Sequence, residues 1–239
     1  MKLPRGSNLI ENCLKCSLRG ENFFCDLPDE ALRSLEAIKF TSVYPKGALL
    51  FMEGQSPRGI FIICNGQVKL STSSSEGKLI IIEIAEPGEV LGLSAVLSGM
   101  PYEVTAETIS SCQVNFIRRD DFLNFLSEYG EVALRVAQQL SRSYHIAYEQ
   151  IRSLGLSPSA RSKLAKLMLD WCDRSGEHTD RGHKLKLILT HEEIAQMIGT
   201  SRETVTRLLG EFKSEGLIEV KGSNLLIRNK AALEKMASF

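Results

Sequence analysis

Long apolar runs are missing from this chain. No stretch approaches the roughly 18 residues that a bilayer-spanning helix needs. The opening MKLPRGSNLIENC also lacks the apolar centre of a secretory leader. Both absences lead to the expectation of a cytoplasmic protein with no membrane partner. An excess of charge is missing too. Lys and Arg number 29, Asp and Glu 29, and the formal net charge is zero. Bulk charge therefore announces no nucleic acid or acidic surface as partner. Catalytic signatures are lacking: there is no phosphate loop, nucleophile elbow, HExxH helix or Gly-rich dinucleotide turn. An enzyme is not expected. What remains is ordinary globular material: 239 residues, enough for two modest domains, with 43% hydrophobic and 24% charged. Six cysteines in such a chain do not read as a disulfide framework, because thiols stay reduced in the cytosol.

The most informative stretch runs from Thr190 to Glu215, THEEIAQMIGTSRETVTRLLGEFKSE. It reads as two short helices broken at Gly199–Thr200–Ser201. Thr190 and Glu193 have capping-box spacing, in which hydroxyl and carboxylate satisfy free N–H groups of the first turn. Ile194, Met197 and Ile198 give the first helix an apolar side. In the second, Val205, Leu208, Leu209 and Phe212 follow the spacing of one buried face. Arg202, Glu203, Thr206 and Arg207 fall on the opposite arc. Arg can donate twice to guanine O6 and N7, and Glu can accept from cytosine N4. The bland alternative is a solvated charged face; the turn and the caps favour a helix-turn-helix in a DNA major groove. Gly216 then offers a left-handed helix stop. Leu217–Val220 and Leu225–Arg228, joined by Lys221–Gly222–Ser223–Asn224, read as a hairpin wing. Lys221 at its tip is placed to meet a phosphate, as is Ser201.

SRETVTRLL, with LTHEEIAQMIG before it and GLIEVKG after it, resembles the DNA-binding domain of the bacterial Crp/Fnr transcription regulators. The rest of the chain extends the resemblance. From Phe40 to Ile117 short β-rich runs alternate with glycine turns, the pattern of a two-sheet or closed β-fold such as a jelly roll. The runs are Ala48–Phe51, Ile60–Cys64, Gln67–Leu70, Leu79–Ile84, Val104–Ala106 and Cys112–Ile117. The phrases PKGALLFMEGQ, GIFIICNGQVKL and EPGEVLGLSAVLSG resemble the family's β-roll sensor domain, shared with cyclic-nucleotide-binding proteins. In those relatives a Gly-Glu pair and a downstream Arg-Ser or Arg-Thr hold the nucleotide. The corresponding places here read Gly92–Leu93 and Tyr102–Glu103–Val104–Thr105. The ribose carboxylate and the phosphate arginine are both missing, and Glu103 would repel a phosphate. Cyclic AMP is therefore not the expected effector, although another small molecule could use the cavity.

Cys13-x-x-Cys16 and Cys25 stand close together near the start, a metal-like spacing. ETISSCQVNFI resembles the oxygen-sensing Fnr branch. That resemblance implies a [4Fe–4S] cluster held by Cys13, Cys16, Cys25 and Cys112. The interval between Cys16 and Cys25 is longer than in Fnr proteins, at little cost in loop-closure entropy. A zinc or thiol-redox role and plain structural cysteines remain open beside the cluster. Cys64, within an apolar strand, and Cys172, on an apolar helix stripe with Leu164, Leu167, Met168 and Trp171, read as core.

A short helix is expected over Leu27–Ile38 and a long helical stretch over Arg119–Leu154. On the latter Val136, Leu140, Ser143, Ala147, Gln150 and Leu154 approximate a 3-4 spacing that fits pairing with a second copy, as the family does; packing on the chain's own β-roll is the alternative. Gly155–Ser159 reads as a joint, with Ser157 as cap and Pro158 opening the next helix. Asp173–His183 reads as a surface loop, Leu185, Leu187 and Leu189 as a small strand, and Ala231–Phe239 as a closing helix.

The expected architecture is thus α+β. Residues 1–26 form a cysteine-bearing segment, with Phe23 and Phe24 its few core formers; 27–118 form a β-roll (jelly-roll) sensor, 119–154 a dimerisation helix region, and 155–239 a winged helix-turn-helix. The last region holds 14 Lys and Arg against 11 Asp and Glu, a small local excess of cations. The expected function is a homodimeric regulator reading a near-palindromic duplex, with RNA polymerase as the partner the resemblance implies. The competing class is a small-molecule-binding module whose second domain is only a tether.

Overall fold

The computed structural model describes residues 12–19, 25–156, 159–175, 177–179, 182–186, 189–222 and 224–237. Phe23, Phe24, Ser157, Pro158, Leu187 and Ser223, singled out above, lie outside the described residues. The chain divides into two compact units, Met1–Gly77 with Ile81–Ile146 and Lys78–Ile80 with Ala147–Phe239. The division falls ten residues before the end of the long helix, whereas a joint was expected at Gly155.

The first unit opens with a 3-10 turn, Cys13–Lys15, capped by the Asn12 side chain. Helix α1 (Asp29–Ile38) follows, with Asp29 and Glu30 in its first turn, where the helix dipole favours carboxylates. Eight strands come next: β1 (Lys39–Tyr44), β2 (Leu49–Phe51), β3 (Gly59–Asn65), β4 (Val68–Ser73), β5 (Leu79–Ala85), β6 (Val90–Leu91), β7 (Thr105–Thr108) and β8 (Cys112–Arg118), with the short α2 (Leu93–Ser98) between β6 and β7. They form two four-stranded sheets, β1-β8-β3-β6 and β2-β7-β4-β5. This is the two-sheet roll that the alternating runs predicted. Sequence reading missed β1, β6 and α2. Strand β1 is an edge strand with much of its surface in solvent, so it lacks a strong apolar signature. Helix α2 is six residues between two left-handed glycines, Gly92 and Gly99.

Two cores result from the alternation of side chains along the strands. Phe51, Phe61, Ile63, Val68, Leu91, Ala106, Cys112 and Val114 fill the roll between the sheets. Ile60, Ile62, Val90 and Ile117 face outward, under Leu32 and Leu35 of α1 and Phe122 and Phe125 of α3 (Arg119–Glu128). Gly66, in the turn after β3, has φ +87°, and a Cβ there would sit 2.5 Å from Cys112 Sγ. Only glycine fits that approach.

Helix α4 (Gly130–Leu156) is continuous over 27 residues. Of the 3-4 line expected to meet a second copy, Val136, Leu140, Gln150 and Leu154 make contacts within this chain. Val136 is 3% exposed in the outer core of the roll, and Leu140 packs against that core. Gln150 Nε2 donates to the Met197 carbonyl at 2.7 Å, and the Leu154 side chain lies against Gly199. Ser143 is exposed and Ala147 half-buried. The exposed large apolar groups are Leu134, Tyr144, Tyr148 and Ile151, at 61, 67, 49 and 69%. With the exposed Ala137 and Ser141 they form a second 3-4 line, about 110° around the helix from the first. Both lines satisfy the same periodicity, and only packing decides which one is internal.

The second unit contains α5 (Ala160–Ser175), β9 (Glu177–Thr179), β10 (Gly182–Lys186), α6 (His191–Ile198), α7 (Arg202–Ser214), β11 (Ile218–Lys221), β12 (Asn224–Ile227) and α8 (Lys230–Ala237). Its sheet runs β11-β12-β10-β9. The stretch Asp173–His183, expected as a loop, is the end of α5 and most of a β9–β10 hairpin, with Gly182 paired to Thr179. Buried Leu164, Met168 and Cys172 confirm the core stripe of α5. Among the described residues no helix is long and apolar enough to cross a membrane.

Candidate nucleic-acid interface and sensor-domain sites

The helix-turn-helix is set by its caps. Thr190 Oγ1 accepts from Glu193 N–H at 3.2 Å, and Glu193 Oε2 accepts from Thr190 N–H at 2.8 Å. Gly199 ends α6 in the left-handed region, its N–H donating to the Ala195 carbonyl. Ser201 starts α7 by accepting from Thr204 N–H at 3.2 Å. Val205, Leu208, Leu209 and Phe212 are buried. This fixes the rotation of α7 and leaves Arg202, Glu203, Thr206 and Arg207 exposed on its far side.

Each of these side chains has partners that the sequence did not reveal. Thr206 Oγ1 donates to the Arg202 carbonyl at 3.0 Å and lies 2.8 Å from His191 Nδ1. His191, at the start of α6, therefore borders the same face. Arg207 pairs with Glu211 one turn on, and Arg161 bonds Glu211 at 3.1 Å from the other side. Arg161 also lies 5.0 Å from the Phe212 ring centroid. The Arg207–Glu211 spacing of four was there to be read; Arg161 is 50 residues from Glu211 and was not. The Glu203 carboxyl is held below its usual range by its own backbone N–H and by the Ser201 hydroxyl. It therefore stays ionised and acts only as an acceptor.

The wing hairpin pairs Lys221 with Asn224 at its tip, and Gly222 supplies the positive φ of 59°. Lys221 Nζ rests 3.0 Å from Glu219 Oε1, while Arg228 Nε donates to Glu219 Oε2 at 3.2 Å. Two cations thus share one carboxylate, which they hold down to about 2.

The roll contains a cavity of about 120 Å³ bordered by Tyr102, Glu103, Ser94, Glu83, Glu89 and the first half of α4. Ser94 Oγ donates to Glu103 Oε1 at 2.5 Å, and Tyr102 Oη donates to the Gly59 carbonyl at 2.7 Å. Among the described residues lining it, Arg142 is the only cation, and it faces Glu89 at 3.6 Å.

The cysteines do not group as expected. Cys13 packs against the outer core, and its Sγ accepts from Lys39 Nζ at 3.2 Å. Burial first, and then the thiols of Cys16 and Cys13, push Cys25 up to about 12. Cys112, expected as the fourth member, is on the opposite face of the sheet. It is fully buried in the roll interior, and its Sγ donates to the Gln67 carbonyl at 3.2 Å. Among the described residues no three His, Cys, Asp or Glu are already placed to hold one metal ion.

Comparison with known proteins agrees with this geometry. Residues 41–129 match a cyclic nucleotide-binding domain and residues 162–236 a Crp-like helix-turn-helix domain. A CRP-like cAMP-activated global transcriptional regulator of Mycobacterium tuberculosis is 28% identical over 196 residues, covering 81% of this chain and 86% of that protein. The fumarate and nitrate reduction regulatory protein of Escherichia coli is 26% identical over 230 residues, 95% of this chain and 90% of that one. Among solved structures, FixK2 from Bradyrhizobium japonicum superposes with a TM-score of 0.75 at 21% identity, over 84% of this chain and 98% of that one. A CooA mutant from Carboxydothermus hydrogenoformans gives 0.74 at 25%, over 84% and 89%. With a nucleotide-binding-type roll followed by a Crp-like helix-turn-helix, and with regulators of that type as its relatives, the chain belongs to the Crp/Fnr family of transcription regulators.

Proposed function

We propose that this regulator works as a homodimer that reads a near-palindromic duplex through α7. Arg202, Glu203 and Arg207 would contact base edges, Thr206 would assist, and Ser201 and Lys221 would meet phosphates. The observation that carries this is the exposure of four polar side chains on a helix whose other side is locked in the core. Partial pairing does not disqualify Arg207. Its Glu211 contact is at the surface, with the Arg207 side chain 63% exposed, and such pairs contribute little. The second copy would lie along Leu134, Tyr144, Tyr148 and Ile151 of α4, the exposed line, rather than along Val136 and Leu140. Selection of bound duplexes from a random pool tests this reading. It should enrich two inverted half-sites about one helical turn apart; enrichment of no sequence would reduce the domain to a tether.

The roll is the sensor in this reading, and two signals are supported by different observations. Its cavity suits a small molecule without a phosphate, because the one lining arginine already faces Glu89 and Glu103 stands where a phosphate would come. Addition of cyclic AMP should then leave DNA affinity unchanged. The cysteine-rich start supports a redox signal, in which a [4Fe–4S] cluster would supply oxygen-labile bonds that tie residues 13–25 to the roll. Relatives named for fumarate and nitrate reduction and for electron transport fit such control. Either signal would act by shifting a two-state dimer. Contact with RNA polymerase would carry the output.

A further inference from the structure

Arg207 is held by contacts that reach back to another helix. Arg207, Glu211 and Glu215 stand at i, i+4 and i+8 along α7, a line that drifts about 40° per step around the helix. It leaves the exposed arc of Arg202 and Glu203 and runs towards the buried side, where Phe212 lies. At its far end stands Arg161, in the first turn of α5. Arg161 Nη2 donates to Glu215 Oε2 at 2.5 Å, and its Nη1 donates to Glu211 Oε2 at 3.1 Å. Its guanidinium lies 5.0 Å from the Phe212 ring centroid. A planar fork of donors suits two carboxylates and a ring face at once.

Glu211 is thereby divided between two arginines. Its Oε2 accepts from Arg161, and its Oε1 accepts from Arg207 Nη1. The two ends differ in freedom. The Arg161 side chain is 31% exposed and that of Arg207 63%. The carboxylate is therefore anchored from the Arg161 side and tethers Arg207 on the solvent side. A lone surface pair of this kind is weak, but a carboxylate fixed by a second, stacked guanidinium belongs to a network. Contact through Nη1 leaves Nε and Nη2 of Arg207 for a base edge. Two guanidinia and two carboxylates also cancel in formal charge, so Glu211 brings no net repulsion to a duplex.

We infer that Arg161 and Glu211 are positioning residues for sequence reading: Arg161 sets Glu211, and Glu211 sets the guanidinium of Arg207 against a base edge. Neither needs to touch the duplex. The inference rests on the reading of Arg207 as a base contact. An arginine ordered before binding loses less rotamer freedom on the duplex. That gain falls on the duplex whose base accepts both donors, because a scrambled one offers no matching pair of acceptors. The two residues therefore act on discrimination between duplexes rather than on affinity at large.

Affinities of the full-length protein for the selected duplex and for a scrambled one, at equal salt, test this. Arg161→Met keeps the length of the side chain and its contact with Phe212 but removes the fork. It should lower the ratio of the two affinities by about 3–10-fold, while circular dichroism still shows a folded protein. Glu211→Gln, isosteric and outside the core, should lower the ratio as well. Its affinity for the scrambled duplex should rise, because a carboxylate is lost. In an Arg207→Ala background Arg161→Met should change the ratio no further. A ratio left unchanged by Arg161→Met would overturn the inference. So would a ratio raised by Glu211→Gln, which would make Glu211 a competitor for Arg207. An equal fall with and without Arg207 would also refute it, and would make Arg161 a support for α7 as a whole. The reading of Arg207 is judged separately. An Arg207→Ala protein that discriminates as well as the parent would sink that reading, and the inference with it.

Discussion

A single carboxylate sets the character of the wing. Glu219 holds both Lys221 and Arg228, the cations nearest the hairpin tip that could otherwise meet a phosphate. A depressed carboxyl stabilises the fold above the ordinary carboxylate range and loses that contribution as pH falls towards its folded value, here about 2. Glu219→Gln should therefore melt below the parent at neutral pH, and the gap should close on acidification towards about 2. The same substitution releases two cations, so affinity for random duplex should rise and its salt dependence steepen. Unchanged salt dependence would remove Lys221 from the interface. Thr190 offers a second residue-scale test. Its capping box is complete, so Thr190→Ala should cost about 0.5–2 kcal/mol in chemical denaturation.

At the scale of elements, α4 separates what periodicity can and cannot say. Val136→Ala empties part of the roll's outer core and should cost about 1–3 kcal/mol of stability with little effect on association. Tyr148→Glu alters an exposed position and should leave the chain folded but monomeric in sedimentation. The reverse pattern would restore the line through Val136 and Leu140 as the seam. The helix-turn-helix and wing were legible because their signals are local: capping residues, a glycine stop, and buried and exposed arcs within one short helix. The line on α4 was not, because two faces carry the same 3-4 spacing and the choice between them depends on residues such as Val90 and Ile117 in the distant roll. The burial of Cys112 inside the roll, away from Cys13, was hidden for the same reason. It sits in an apolar strand, and only the strand pairing shows which sheet face its thiol occupies.

The whole molecule joins a β-roll, a long helix and a winged reader, and its neutral total charge makes DNA binding a matter of placement. Non-specific affinity should accordingly be modest, with discrimination coming from a few side chains on α7. The comparisons establish the family, while the cavity's carboxylates are features of this chain's own residues. The most direct test of the account is the affinity of Arg207→Ala for the selected duplex and for a scrambled one at equal salt. The account predicts a loss of about 1–3 kcal/mol on the selected site and almost none on the scrambled one. Equal loss on both would make Arg207 a phosphate contact and contradict the assignment of the α7 face as the reader of sequence.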